Sequence, residues 1–531
     1  MTLTLDRADI QGFRSVVAAR LGLHFDDSKQ DFLADVLRDR MESAGCDCFS
    51  LYERRMATSV REMQAVAEQL TVCETYFFRY AEHFLAFTEV VVPALIRARG
   101  RGRKLRILSA GCASGEEAYS LAILIRDRLQ DLLTWDLAIH GVDVNQAMVK
   151  RALKARYHAW SLRSTPEDLR SRYFRGEGRD FVLDSDVKGM VTFEERNLIE
   201  EDPAFWHRAR FDVIFCRNVT MYFTVEAART VVNRMGESLC PGGFLFLGHA
   251  ETLRGISQDF HLRHTHQTFY YQRKEGHETN FEGAVPESSA ALRSSWPGVS
   301  VPEPPSNSWF DIIRRASERI VTLTDTSSLA GVAPAKPPSP PSQPMAQPEA
   351  PVETGAAAVS RRGKALDRTA AIALMQEERF GEAIAILRGL PAASNADADV
   401  QLLLAALLTN SGDLAEAEKI CTCLLDLDEL NAGAHYLTAL CREHAGDPDS
   451  AAEHDRAAIY LDSSFAMPHL HLGLIAKRSR DGLTAGRELG EALALLLRED
   501  AARILLFGGG FTRDALAEFC RAELRASGGV L

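Results

Sequence analysis

Leu105–Leu124 reads LRILSAGCASGEEAYSLAIL. LRILSA is an apolar run of strand length, GCASG is a string of small residues, and EEAYSLAIL has helical spacing. A strand that passes through a small-residue loop into a helix begins a parallel α/β unit. Its loop then lies at the carboxyl end of the strand, where such sheets bind ligands. Gly111, Ala113 and Gly115 allow the backbone to approach a ligand closely. Ala113 interrupts a strict G-x-G-x-x-G, so the loop alone does not name its ligand. Ser114 and Glu117 have capping-box spacing, which would start the helix and leave Glu116 free for a ligand. The plainer reading of Glu116 is a first-turn acid favoured by the helix dipole.

Working outward, LAIHGVDV, FDVIFC and GFLFLGH read as buried parallel strands, and VEAARTVVNRMGESL reads as a helix between two of them. The pattern predicts an open α/β sheet. Its second strand ends at Asp143, where an acid can accept hydrogen bonds from both hydroxyls of a ribose. The alternative is a loop acid capping the next helix. Together, the loop and Asp143 favour adenosine-type recognition, and no G-x-x-x-x-G-K-[ST] is present to suggest a P-loop. Upstream, residues 1–86 show only helical spacing, as in FLADVLRDRM and VREMQAVAEQL. Arg38 and Arg40 lie there, on a solvated face or against an acidic partner.

A chain of 531 residues is too long for one core. Its net charge of -12 argues against a general nucleic-acid binder. No apolar run approaches bilayer length, and MTLTLDRADIQGF lacks the regions of a signal peptide, so a cytoplasmic protein without membrane insertion is expected. The ten cysteines are scattered, and neither C-x-C pair (Cys46/Cys48, Cys421/Cys423) has the second half of a metal site. No metal is therefore expected.

Thirteen of the 20 prolines fall between Pro286 and Pro351. A Pro-rich disordered linker is accordingly expected at 276–362, with one amphipathic stretch from Trp309 to Val321. Beyond it Ala383, Ala417, Ala451 and Ala485 recur at intervals of 34, as do Gly412 with Gly446 and Asp428 with Asp462. That is the period of tetratricopeptide (TPR) helix pairs, in which small residues allow close packing. The expectation is TPR-like repeats at 363–497 and a C-terminal capping helix region at 498–531, with Thr512 as a possible helix cap.

Four ordered blocks now carry a resemblance: TYFFR (Thr75–Arg79), AGCASGEEAYS (Ala110–Ser120), FDVIFCRNVTMYF (Phe211–Phe223) and GGFLFLGHAE (Gly242–Glu251). Over roughly residues 10 to 272 the chain resembles the CheR family of chemotaxis-receptor protein-glutamate methyltransferases. The resemblance implies a helical N-terminal domain (1–86) on a seven-stranded, Rossmann-like methyltransferase domain (87–275), with a small β insertion at about 173–197. It also implies S-adenosylmethionine as methyl donor, and receptor cytoplasmic domains as substrate. Thr75, Arg79, Glu116, Asp143, Asn197, Leu198, Arg217 and Asn218 fall at its cofactor-contacting positions. Arg79 and Tyr222 fall where the acceptor carboxylate arrives, as the catalytic pair. Cys73 stands where the family usually has Asn, which puts one cofactor hydrogen bond in doubt. The insertion is short, which puts the peptide-binding role it has in some members in doubt.

The chemistry implied is undemanding. A glutamate carboxylate, with an ordinary pKa of about 4.3, is ionised at neutral pH and needs no general base. Alignment and exclusion of water would then supply the rate, with Arg79 holding the carboxylate in a fork. Phe77 and Phe78 read as packing, His249 as a strand-end histidine, and Glu251 has no clear reading. Two other functions remain on these residues alone. A base N6-methyltransferase would need [DN]-P-P-[YF] where this chain has CRNV. A degenerate domain that scaffolds partners through the TPR tail would no longer bind the donor. The tail itself is expected to recruit a protein partner.

Overall fold

The computed structural model describes residues 5–99, 103–275 and, with gaps at 376, 378, 392–396 and 510, residues 370–526. The expected linker and the Trp309–Val321 stretch lie outside these. Contacts divide the chain into two units, 1–283 and 284–531, each described here by itself.

The first unit opens with four helices, α1 (Arg7–Leu21), α2 (Gln30–Ala44), α3 (Phe49–Thr58) and α4 (Val60–Leu70). Asp6 and Asp9 form a reciprocal capping box at the start of α1. Phe13, Val17, Leu33, Leu37, Tyr52 and Val66 make a small core of their own. Arg40 belongs to that core rather than to a binding face. Its Nε and Nη2 donate to Glu62 Oε1 at 2.9 and 2.7 Å, and the Tyr52 hydroxyl donates to the same oxygen. Arg38 pairs with Asp35 at the surface.

A boundary expected at residue 86 falls inside continuous helix. α5 (Ala81–Ala86) runs through a π turn, Phe87–Val91, into α6 (Val92–Arg99). Phe84, Phe87 and Val91 join the core of the sheet with Phe215 and Phe246. The helical period continues across this point, so periodicity alone gives no sign that the chain has changed cores.

The sheet comprises β1 (Lys104–Ala110), β2 (Asp136–Asp143), β6 (Val191–Glu195), β7 (Phe211–Cys216), β8 (Leu239–Leu247), β9 (Phe260–Thr265) and β10 (Thr268–Arg273), in the order β6-β2-β1-β7-β8-β10-β9. The first five are parallel, and β10 and β9 are antiparallel. Helices α7 (Glu116–Arg128), α8 (Gln146–Lys154) and α11 (Val225–Ser238) connect parallel strands. Every residue of β7 is buried, as a strand covered on both faces requires. This is the Rossmann-like sheet expected. Strand order reverses beside β1, which puts the switch point at the β1 and β7 carboxyl ends.

The β insertion is differently bounded from the 173–197 expected. Its small antiparallel sheet begins earlier, with β3 (Arg156–His158), then β4 (Phe174–Glu177) and β5 (Asp180–Leu183), accompanied by α9 (Glu167–Tyr173) and α10 (Ser185–Lys188). Val191–Glu195, assigned in advance to the insertion, is the edge strand β6, paired with β2 from Ile139↔Val191 to Asp143↔Glu195. Short alternating runs look alike in both sheets, and only the partner distinguishes them.

The second unit is helical: a stretch at 370–375, then α12 (Phe380–Arg388), α13 (Ala398–Ser411), α14 (Leu414–Leu427), α15 (Ala432–His444), α16 (Pro448–Leu461), α17 (Ala466–Arg478), α18 (Gly482–Leu496), α19 (Ala501–Phe507) and α20 (Arg513–Ala526). All four periodic alanines have 0% exposure. Gly412 and Gly446 take φ of 88° and 83° where α13 and α15 end, a left-handed turn that admits glycine without strain. Thr512 Oγ1 accepts from Ala515 N at 3.3 Å, and α20 packs on α18. α19 behaves differently from a cap, because it lies across the first helices of the pairs. Among the described residues no helix is long and apolar enough to cross a membrane.

Between α15 and α16 two imidazoles meet, His435 Nδ1 and His454 Nδ1, 2.9 Å apart. His435 Nε2 contacts the Glu429 carbonyl, which can only accept, so the proton between the rings belongs to His454. Burial, then the neighbouring His435, pushes the His454 pKa down to about 4. The unfolded chain, with an ordinary value of about 6.5, therefore takes up protons that the folded chain refuses. Stability of this unit is expected to be full above pH ~6.5 and to fall toward pH ~4, by at most about 1.4 kcal/mol per pH unit from this group. Hydrogen exchange of α15 and α16 amides across that range checks it, and His454→Gln should flatten the profile.

Candidate functional site

The site grows from the turn after β1. Gly111, Ala113 and Gly115 all have positive φ, at 72°, 45° and 91°. A Cβ on Gly111 would lie 2.3 Å from Val219 Cγ2, so the turn sits directly under the loop that follows β7. Gly111 N and Cys112 N donate to Val142 O, and Ala113 N donates to Asp143 Oδ2 at 2.8 Å. Asp143 Oδ1 accepts from Asn145 N at 2.8 Å. Burial raises the Asp143 pKa, and these backbone donors pull it back.

The capping box expected from Ser114 and Glu117 does not form. Gly115 is the cap residue, without a side-chain bond. Ser114 Oγ instead donates to Glu116 Oε2 at 2.8 Å, and Glu116 is buried beneath the cavity surface. Glu117 turns the other way, accepting from Ser109 Oγ at 2.7 Å and Arg217 Nη1 at 3.2 Å. A left-handed residue before the helix rotates the two acids relative to the spacing rule. Of the two, Glu117 lies on the cavity wall and Glu116 does not.

Arg217, fully enclosed, continues this cluster. Its Nη2 donates to the carbonyl of Arg79, whose own Nη1 donates to Glu74 O at 2.9 Å. Both guanidinium groups lie 5.2 Å from the Tyr80 ring. Burial lowers the Arg217 pKa and raises that of Glu117, while each charge counteracts the shift in the other. Arg79 Nε and Arg217 Nε are buried without hydrogen-bond partners. Arg196, also on the cavity wall, has a third such Nε, and three unpaired cationic donors beside one cavity suit an anionic or strongly polar ligand.

The loop carrying Arg217 to Tyr222 is held by one residue. Glu251 Oε2 accepts from Gly248 N and Asn218 N, both at 2.6 Å, and Oε1 accepts from Val219 N (2.9 Å), Thr220 Oγ1 (2.8 Å) and Met221 N (3.2 Å). Asn218 is left-handed, at φ 58°. Nothing local in the sequence marked this role, because Glu251 lies 30 to 33 residues from four of the five donors it gathers.

These elements enclose a cavity of about 620 Å³. Thr75, Arg79, Asp143, Asn197, Leu198, Arg217, Asn218 and Tyr222 all lie on its wall, and Glu116 does not. Cys73 is on the wall too, its Sγ 3.4 Å from Asn145 Nδ2. The Asn197 amide is largely committed, donating to Arg20 O at 2.7 Å and accepting from Ile199 N. The helical unit closes one side with Leu23, Phe25 and Phe32. It is fixed there by a Leu23–Phe223 bridge, by His24 N donating to Tyr222 O at 2.7 Å and by Thr224 N donating to Gly22 O at 2.8 Å. His249 stacks on buried His83, rings 5.0 Å apart. Burial and then Arg217 hold His83 well below its ordinary pKa.

The profile of the family described as CheR methyltransferase, SAM binding domain, matches residues 73–269. Chemotaxis protein methyltransferase 2 of Vibrio cholerae is 33% identical over 279 residues, 52% of this chain and 96% of that protein. The chain belongs to the CheR methyltransferase family. Another relative, chemotaxis protein methyltransferase 1 of Pseudomonas aeruginosa, is 31% identical over 50% of this chain and 98% of its own length. The probable biofilm formation methyltransferase WspC of Pseudomonas putida is 27% identical over 92% of this chain and 99% of its own length, so that match extends into the tail. The family assigns S-adenosylmethionine as methyl donor and makes this chain an S-adenosylmethionine-dependent methyltransferase. The cavity fits the donor on its own terms. It is roomy, it has a floor only glycine permits at Gly111, and it combines an acid braced by two backbone N–H groups with unpaired guanidinium donors.

Glu251→Gln tests the cavity's frame. Whichever way the amide turns, its NH2 faces at least two of the donors that the carboxylate now accepts, and no charge remains to hold them. A loss of about 3 kcal/mol is expected in the first unit, from buried donors left unpaired. Thermal unfolding reads it, and an unchanged midpoint would contradict the role assigned to Glu251.

Proposed function

We propose that the chain methylates glutamate side chains of methyl-accepting receptor domains, forming glutamyl methyl esters. The reading is carried by one observation: the Arg79 guanidinium lies on the cavity wall with a buried Nε that has no partner. Its Nη1 is held by Glu74 O, which fixes the plane of the fork. An arriving carboxylate can complete that fork, as no lysine could arrange. Tyr222, half exposed at the cavity edge, would flank the acceptor. Asp143 would accept the ribose hydroxyls of the donor, with Thr75, Asn197, Leu198, Arg217 and Asn218 around it. Glu116 would act from beneath, by bracing Ser114.

Bound S-adenosylmethionine supplies a sulfonium methyl, whose bond to sulfur breaks as the carboxylate oxygen forms the ester bond. The chain's part is to strip water, align the acceptor and keep it ionised, which needs no proton transfer. Arg79 and Arg217 favour the ionised acceptor electrostatically, and loss of its charge on methylation weakens its hold and favours release.

The near full-length similarity to WspC favours an acceptor that serves biofilm formation over one that serves chemotaxis. We read the tail as a recruiter of a protein partner that adds nothing to the chemistry, and place the protein in the cytoplasm with its receptor's signalling domain.

Incubation of the full chain with tritiated S-adenosylmethionine and receptor cytoplasmic fragments is expected to give base-labile label on glutamates. Label that survives alkali, or that appears on nucleic acid, would overturn the assignment. Asp143→Ala should weaken donor binding by about 1–3 kcal/mol in calorimetry, through lost hydrogen bonds to a charged acceptor. Arg79→Lys should depress turnover while leaving the melting temperature nearly unchanged.

A further inference from the structure

In the tail, one face of the helical stack is covered by the chain's own residues. The first helices of three successive pairs, α13, α15 and α17, carry one face of the stack, and in stacked helical hairpins such a face is the usual binding surface. Here α19 lies on it. The Phe507 ring enters a pocket made by Tyr436 (5.9 Å between centroids) and Phe465 (5.0 Å). Gly433 provides the floor, since a Cβ there would come within 2.8 Å of Phe507 Cζ. One turn earlier Arg503 pairs with Asp462, donates to Ser464 Oγ at 3.2 Å and stacks over Phe465, its guanidinium carbon 4.6 Å from the ring centre. Glu499 Oε2 accepts from Ala466 N at 2.6 Å, at the start of α17. Arg503 and Phe507 are four residues apart, so a helix presents both on one side.

The occupant is weakly built and well tethered. Seven residues are too few for a helix that holds itself in water, so α19 depends on the groove for its shape. α18 precedes it and α20, packed on α18, follows, so the segment can leave the groove without the ends of the unit coming apart. Gly508 and Gly509 beyond Phe507 ease that movement. At the far end of the groove Asn410 Nδ2 is buried without a partner, a donor that the resident segment leaves unused.

We propose that this groove binds short helical protein segments bearing an arginine four residues before an aromatic side chain, and that residues 499–507 are a built-in competitor for it. The inference extends the recruitment reading by naming the segment that the tail accepts, and it is independent of the methyl-transfer chemistry. An external segment pays for displacing the internal one, so apparent affinity falls by the fraction of time the groove stands open.

The test uses the full chain and a fluorescent peptide of residues 497–511, LREDAARILLFGGGF, as probe. Phe507→Ala in the chain should tighten peptide binding by about ten-fold or more over the parent, because the competitor is weakened. The same peptide with its phenylalanine at 507 replaced by alanine should not bind. Arg503→Glu, which repels Asp462 without opening an apolar cavity, should act in the same direction and decides the matter if Phe507→Ala fails to fold. Equal affinity of parent and variants, or no binding to any of them, overturns the proposal. A failed recruitment reading would show separately, as unchanged receptor methylation at low receptor concentration when the chain is cut after residue 280.

Discussion

One carboxylate holds the cavity's frame. Glu251 gathers five donors, four of them backbone amides, from the turn after β8 and the loop after β7. A parallel sheet brings those two loops to the same edge but does not shape them, because strand pairing ends where the loops begin. Glu251 replaces the missing ladder with charge-assisted hydrogen bonds, which gain strength from being buried. The left-handed backbone at Asn218, a conformation asparagine adopts more readily than most residues, is held in place by that anchor. Val219, held in the same grasp, is the side chain that crowds Gly111, so the carboxylate also sets how near the loop after β7 can approach the glycine-bearing turn after β1.

Around this frame the site carries its charges in compensating groups. Arg217, Glu117 and Ser109 satisfy one another deep in the wall, and Arg79 is drawn in through its own carbonyl. Removing one member would leave a buried charge without its counterpart, a larger cost than the net value of the pair. Among the described guanidinium groups on the wall, what stays uncompensated is narrow, the Nε edges of Arg79, Arg196 and Arg217. A site of this kind is rigid where it must hold shape and unsatisfied only where a ligand is due.

Much of this was legible in the sequence, for reasons that differ by residue. Leu105 to Leu124 announced the strand, turn and helix because each follows local rules, and Asp143 followed from the position of a strand end. The alanine period worked because small residues at contact points repeat with the packing unit. The failures share a cause. The capping-box spacing at Ser114 and Glu117 presumes an ordinary cap, whereas Gly115 is left-handed and turns Glu116 inward. The helix through residue 86 and the strand at Val191 keep a local pattern while changing their packing partners. Glu251 and α19 act through neighbours distant in the chain, and AARILLF has no property that distinguishes a groove occupant from a capping helix.

The Leu23–Phe223 bridge and the close seat of Gly22 against Ile199 and Ala227 make the helical unit part of the cavity's wall. The turn at Gly111, Asp143 and the Glu251 network come from the sheet, whereas Phe25 and Phe32 come from the helices. Two sides of one cavity wall therefore reside on separable stretches of gene. Mutations confined to the first seventy codons can reshape the Phe25 and Phe32 side of the wall while the turn at Gly111, Asp143 and the Glu251 network stay under unchanged selection.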